Sequence, residues 1–219
     1  MAKHLDLEEQ EQLDQIKHFW ARYGNAISWV LIVVFGSIAA YNGWNWYQRN
    51  QGAKAAALYE ELDRAVVAKD LARVERVLGD LRSGFAGTTF AAQGGLLAGK
   101  ALFEGGQADK AREALQAVVD AAGDEGLQAV ARLRLASVEL EAGRADAALQ
   151  LLQAKAPAAF EPLMADRRGD VLMAQGKADE ARAQYEAAWK AMPPGDQLRR
   201  LIAIKLAALG VAVEPEARS

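Results

Sequence analysis

Between Arg22 and Arg49 the chain carries no charged residue, reading YGNAISWVLIVVFGSIAAYNGWNWYQ over residues 23–48. As a helix this stretch would measure about 39 Å at about 1.5 Å per residue, enough to cross a hydrocarbon core of about 30 Å with some tilt. In lipid every backbone N–H and C=O must be bonded within the segment, which a helix achieves by itself. Aromatic residues gather at both ends: Trp20 and Tyr23 on one side, Tyr41, Trp44, Trp46 and Tyr47 on the other. Rings with a polar edge favour the headgroup layer, so two interfaces are marked. A buried core helix is opposed by the length without a charge. A removable signal peptide is opposed by the acidic leader, the long apolar run and the bulky aromatics at its far end. Residues 23–48 are therefore expected to form a transmembrane helix, with the lipid bilayer as the first partner.

Residues 1–22 place Leu13, Ile16 and Trp20 at helical spacing among Glu9, Glu11, Gln12, Asp14 and Gln15. This predicts a short amphipathic helix, interrupted near Gly24 and Asn25, that serves as a solvated entry segment or binds a partner. His4 and His18 are too far apart for ligands on adjacent helical turns and have no evident third ligand, so no metal site is expected. Within the apolar stretch, Gly36, Ala40 and Gly43 fall near one face, where small residues would let a second membrane helix approach closely. Charge does not set the orientation. Lys3, Lys17 and Arg22 before the stretch are balanced by Arg49, Lys54 and Arg64 after it.

The remaining chain has the size of one ordinary domain and is rich in Ala, Leu, Glu, Gln and Arg, all strong helix formers. A net charge of -3 without a long basic block argues against nucleic acid. The absence of cysteine excludes disulfide scaffolds and thiolate metal sites. A period then shows itself: GQADKA from Gly106, GRADAA from Gly143 and GKADEA from Gly176, spaced by 37 and 33 residues, each with apolar helical stretches before and after it. Repetition on this scale signals an α-solenoid over residues 49–210, followed by a tail at 211–219. The glycine suits a left-handed turn, the aspartate a cap or first helical turn, and the alanine close approach of the paired helices.

The arrangement resembles the tetratricopeptide repeat. The last unit carries Gly169 at a small contact position, Gly176 in the turn, then Ala181, Tyr185, Ala188 and the stop Pro193. The middle unit has Ala136, Ala148 and Leu152, with Pro157 and Pro162 interrupting the join to the next. The earlier one has Gly99, Ala111 and Leu115. A preceding helix pair, residues 53–67 and 71–81, lacks the signature and is expected to cap the array or open it in degenerate form. A last helix at 196–209 is read from Leu198, Leu201, Ile202, Lys205 and Leu209. In a tetratricopeptide register Gln93, Leu96, Lys100, Phe103, Ser137, Leu140, Glu141, Asp166, Asp170 and Met173 tend toward an inner groove suited to peptide segments. The run from Gly94 to Lys100 imitates a phosphate-binding loop, but Ala101 stands where a hydroxyl residue would hold Mg²⁺ and no strand precedes it, so helix packing is expected. No carboxylate sits with a candidate nucleophile or base; neither a catalytic site nor a cofactor is expected, and the chain reads as non-enzymatic.

Taken together, the leader EEQEQLDQIKHFWARYGN, the single apolar stretch ending WNWYQ, and DRRGDVLMAQGKADEARAQYEAAW from Asp166 resemble the YfgM family of ancillary SecYEG translocon subunits, over nearly the full chain. The resemblance implies an all-α protein in the bacterial inner membrane, with a short cytoplasmic leader, one spanning helix and a periplasmic repeat domain. It also implies association with SecYEG and with PpiD, a membrane-anchored periplasmic chaperone, near emerging secretory client polypeptides. An alternative function is a membrane-bound regulator that sequesters a cytosolic partner through residues 1–22.

Overall fold

The computed structural model describes residues 7–213, with side chains from residue 11 onward. Expectations that rest on His4 and on the far tail, residues 214–219, fall outside the described residues. The chain divides into two units, residues 1–50 and 51–219.

The first unit is made by most of α1 (Leu7–Val67). The expected break at Gly24 and Asn25 is absent, and α1 runs through both residues. The indole of Trp20 lies over Gly24, about 3.1 Å from where a Cβ would stand, so the glycine serves as a seat for a ring rather than as a hinge. Among the described residues α1 is the one helix long and apolar enough to cross a membrane, and almost none of its apolar window is buried within the chain. Trp29, Ile32, Val33 and Phe35 are each more than 60 % exposed. A large apolar side chain gains about 1.5–3 kcal/mol on leaving water, which makes this surface costly in an aqueous setting.

The second unit is an array of helix pairs. Residues 51–67 of α1 pair with α2 (Leu71–Phe85), α3 (Thr89–Glu104) with α4 (Ala108–Ala121), α5 (Glu125–Glu141) with α6 (Ala145–Gln153), and α7 (Glu161–Ala174) with α8 (Ala178–Ala191). A last helix, α9 (Gln197–Ala208), follows without a helical partner after it among the described residues. A 3₁₀ turn, Ala158–Phe160, bridges α6 and α7, with Pro162 in the first turn of α7, where its missing N–H is harmless.

Every pair is closed by the same turn. Gly106, Gly143 and Gly176 have φ of 77°, 75° and 74°. In each turn the glycine N–H reaches back three residues, and the next N–H reaches back five (Gln107 to Leu102, Arg144 to Glu139, Lys177 to Leu172). This is the Schellman closure, and it satisfies carbonyls that a helix end otherwise leaves open. The pair without the glycine signature uses the same closure on Lys69, whose φ is 55°, with Asp70 N–H bonded to Ala65. Gly210 ends α9 likewise at φ 77°. The first pair is thus a full repeat, and α9 is the first half of a fifth.

After each glycine turn, Ala111, Ala148 and Ala181 are wholly buried. Asp109, Asp146 and Asp179 sit in the first turns of α4, α6 and α8, whose N-caps Gln107, Arg144 and Lys177 make no side-chain cap bond. Of the two roles expected for these aspartates they take the second, placing negative charge at the positive helix end. Side-chain capping falls instead to Asp70, Thr88, Asp124 and Asp196, at α2, α3, α5 and α9.

Candidate functional site

Counting back from the five turn residues puts the first helices, residues 51–67 of α1, then α3, α5, α7 and α9, in one register. Three residues before each turn stand Val66, Phe103, Leu140, Met173 and Ala207; six before stand Asp63, Lys100, Ser137, Asp170 and Ile204. The inner-groove residues expected from the sequence fall largely on these rungs. α3 packs on α5 and α5 on α7, so the first helices form a row of their own.

The residues of that row differ in availability. Lys100, Glu141 and Met173 are exposed, and Lys100 pairs loosely with Glu104 at 3.7 Å. Gln93, Phe103, Ser137 and Leu140 are half-buried; Phe103 packs on two core clusters and Ser137 donates to the Leu133 carbonyl at 3.1 Å. Leu96 is different: its side chain is buried in the core shared by α3, α4 and α5. Its carbonyl accepts a 2.8 Å hydrogen bond from Arg134 Nη1 on α5. Gly94, Gly95 and Gly99 lie inside α3, and a Cβ on each would stand 2.9 Å or less from Leu81, Val118 and Leu115. They are packing positions, and the phosphate-loop likeness is a coincidence of helix sequence.

Asp166 and Asp170 form the strongest polar feature. Lys205, on α9, donates to Asp166 at 2.7 Å and to Asp170 at 2.6 Å. Tyr185, on α8, donates to Asp170 at 2.8 Å, and Arg167 stands 3.4 Å from the other oxygen of Asp170. Asp166 is buried, and loss of hydration pushes its carboxyl above the usual range despite the opposing pull of Lys205. Burial and the bond to Asp170 push the Tyr185 hydroxyl well up, which keeps it a donor. The two aspartates, read from sequence as groove residues, therefore hold the last helix to the array. The signal for this was Lys205 itself, a charged residue amid the apolar positions of α9.

The phase of α9 also departs from the sequence reading. Ile202 and Leu206 are its buried pair, whereas Leu201 is exposed, as is Ile204. Val211 and Val213, at the start of the expected tail, pack on the same core. In the first unit, Gly36 and Gly43 have open space where a Cβ would be and Ala40 is exposed. Among the described residues no group of three or more His, Asp or Glu side chains could hold a metal ion.

A family model described as a tetratricopeptide repeat-like domain matches residues 17–211. A protein of Neisseria gonorrhoeae named "Ancillary SecYEG translocon subunit" is 33% identical over 214 residues, covering 95% of this chain and 100% of its own. One of the same name from Escherichia coli K12 is 28% identical, over 83% of this chain and 87% of its own. A Haemophilus influenzae protein, again of that name, is 26% identical over 90% and 95%.

Proposed function

We propose, because this chain belongs to the YfgM family of ancillary SecYEG translocon subunits with a tetratricopeptide repeat-like domain, that it is a membrane-tethered adaptor of the translocon. Residues 23–48 cross the inner membrane once, the leader lies in the cytoplasm, and residues 49–210 stand in the periplasm. There the repeat array links translocation to a membrane-anchored chaperone of the PpiD type and to emerging secretory chains. It works by contact and carries out no chemistry. Its groove is the row of first helices, with Lys100, Phe103, Ser137, Leu140, Glu141 and Met173 as its accessible residues. The stripe of Gly36, Ala40 and Gly43 packs against another membrane helix.

The observation that carries the reading is the length of the resemblance, which takes in the unburied apolar helix and the repeats together. Tethering confines the protein to the membrane plane and raises its effective concentration near membrane partners. The reading is tested by photo-crosslinking from Lys100 and from Gly36 at native expression, with protease accessibility measured in intact spheroplasts. Adducts with translocon or chaperone subunits and cleavage of the repeat domain from outside are expected. A protected repeat domain, or no such adducts, overturns it.

A further inference from the structure

Arg73 and Arg82, both on α2, reach across to neighbouring helices and end on carboxylates, Glu61 at 2.8 Å and Glu113 at 3.1 Å. Arg134, on α5, reaches across as well, yet what its Nη1 meets on α3 is the Leu96 carbonyl, at 2.8 Å. Among the described residues Arg134 takes part in no ion pair. A guanidinium carries five N–H donors, and one carbonyl takes one of them. The residue is exposed, so its other donors are open while the bond to α3 sets their direction.

Its place in the row of first helices gives this cation neighbours. Within α3 the Leu96 carbonyl is the one that receives the Lys100 N–H, so the guanidinium lies at the foot of Lys100. Gln93, Leu96, Lys100 and Phe103 follow one face of α3, at intervals of three, four and three residues. The side-chain amide of Gln93 has no hydrogen-bond partner among the described residues, and Lys100 has only Glu104, at 3.7 Å. Carboxylates bound the patch without filling it. Glu104 and Glu141 are exposed toward the turns, Glu141 about 10 Å along α5 from Arg134, and Asp63 holds the rung of Lys100 on α1.

We infer that Arg134, with Lys100 and Gln93, binds one side-chain carboxylate of an extended polypeptide segment of another protein. A carboxylate is the planar partner that a guanidinium fork holds with two parallel bonds. Glu104, Glu141 and Asp63 repel a polyanion or an anionic lipid surface, and leave room for a single negative charge between them. The half-buried Leu97, Phe103 and Leu140 lie on the same helices and suit apolar neighbours of that carboxylate. The patch stands in mid-row, with residues 51–67 of α1 before it and α7 after it, so a passing chain fits better than a chain end. This deepens the adaptor reading and rests on it, by naming the group that the repeat row selects.

The test uses the full chain in nanodiscs of zwitterionic lipid, with empty nanodiscs subtracted. Three short fluorescent peptides, capped at both ends, share leucine and phenylalanine residues and carry glutamate, glutamine or lysine at the centre. Anisotropy is expected to show the glutamate peptide binding about tenfold tighter than the glutamine one, the gap closing with salt, and the lysine peptide weakest. Arg134→Gln brings the glutamate peptide down to the affinity of the glutamine one and leaves the latter unchanged, which also reports a folded array. Arg134→Lys keeps the charge without the fork and retains only part of the gap. Lys100→Gln narrows it by about threefold. Equal binding of the three peptides, no binding of any, or a gap that survives Arg134→Gln overturns the site. So does binding that requires a free C-terminal carboxylate, or release of the glutamate peptide by inorganic phosphate but not by acetate at equal ionic strength. Translocon co-purification is scored separately. An Arg134→Gln chain that loses the glutamate preference yet keeps the translocon separates the site from the adaptor role, and a parent chain that never co-purifies counts against the role itself.

Discussion

The first and last helix pairs of the array reach one architecture by opposite means. Seven residues before the turn the last pair has Gly169, and the Tyr185 ring of α8 lies so close that a Cβ there would stand 2.4 Å from it. At the same register the first pair has Leu62, wholly buried, with Leu78 of α2 at the place of Tyr185. The middle pairs have Gly99 with Leu115, and Ala136 with Leu152. The summed size of the two facing residues varies from pair to pair, so close packing is met locally, by each pair's own neighbours. The turns differ in the same way, glycine in one and Lys69 in the other at similar φ.

That contrast can be broken from both sides. Leu62→Ala removes volume that nothing else supplies and is expected to cost about 2–5 kcal/mol, read from the denaturation midpoint of the full chain in detergent. Gly169→Ala adds volume that the last pair has no room for. The clash with Tyr185 should outweigh the helix propensity gained, for a net loss of about 1–3 kcal/mol. Tyr185→Leu in that background should restore part of the loss by copying the Ala136 and Leu152 pairing. A Gly169→Ala protein as stable as the parent would show that the Tyr185 ring can give way at this contact.

The turns make a smaller test. Lys69→Gly relieves a side chain held at positive φ and should stabilise by about 0.5–1 kcal/mol, whereas Gly176→Ala should cost about 1 kcal/mol. Equal and negligible effects would mean that the turns are set by packing alone.

The subtlest prediction concerns Asp166. Its folded carboxyl lies above its unfolded value, so the native state binds the proton more tightly. Acidification through the carboxylate range therefore adds stability at this residue while other carboxylates lose it. Asp166→Asn removes that uptake. Its melting temperature relative to the parent should fall as pH drops from neutral toward the unfolded aspartate pKa, and a difference constant with pH would sink the assignment.

Much of this was legible in the sequence where a residue type has one conformational use. Gly106, Gly143 and Gly176 announced turns because left-handed backbone strongly favours glycine. Lys69 could not announce its turn, since lysine adopts that conformation only where the surrounding pair enforces it. The apolar stretch was legible from length and charge alone, but the continuity of α1 at Gly24 depended on where the Trp20 ring settles. In α9 the periodicity admitted Leu201 and Ile202 equally. Only the tie from Lys205 to Asp166 and Asp170 decides which of them faces the core. The bond that engages Asp166 was not legible for the same reason: its partner Lys205 is 39 residues away in sequence.

A linear stack opens from its outermost units, and α9 is the last helix among the described residues. The single ammonium of Lys205, bridging two carboxylates on α7, acts as a clasp against fraying. While that clasp is shut Ile202 and Leu206 stay wholly buried, so its release and the wetting of both side chains are one event. The strength of the clasp is then readable as the rate of amide exchange in α9.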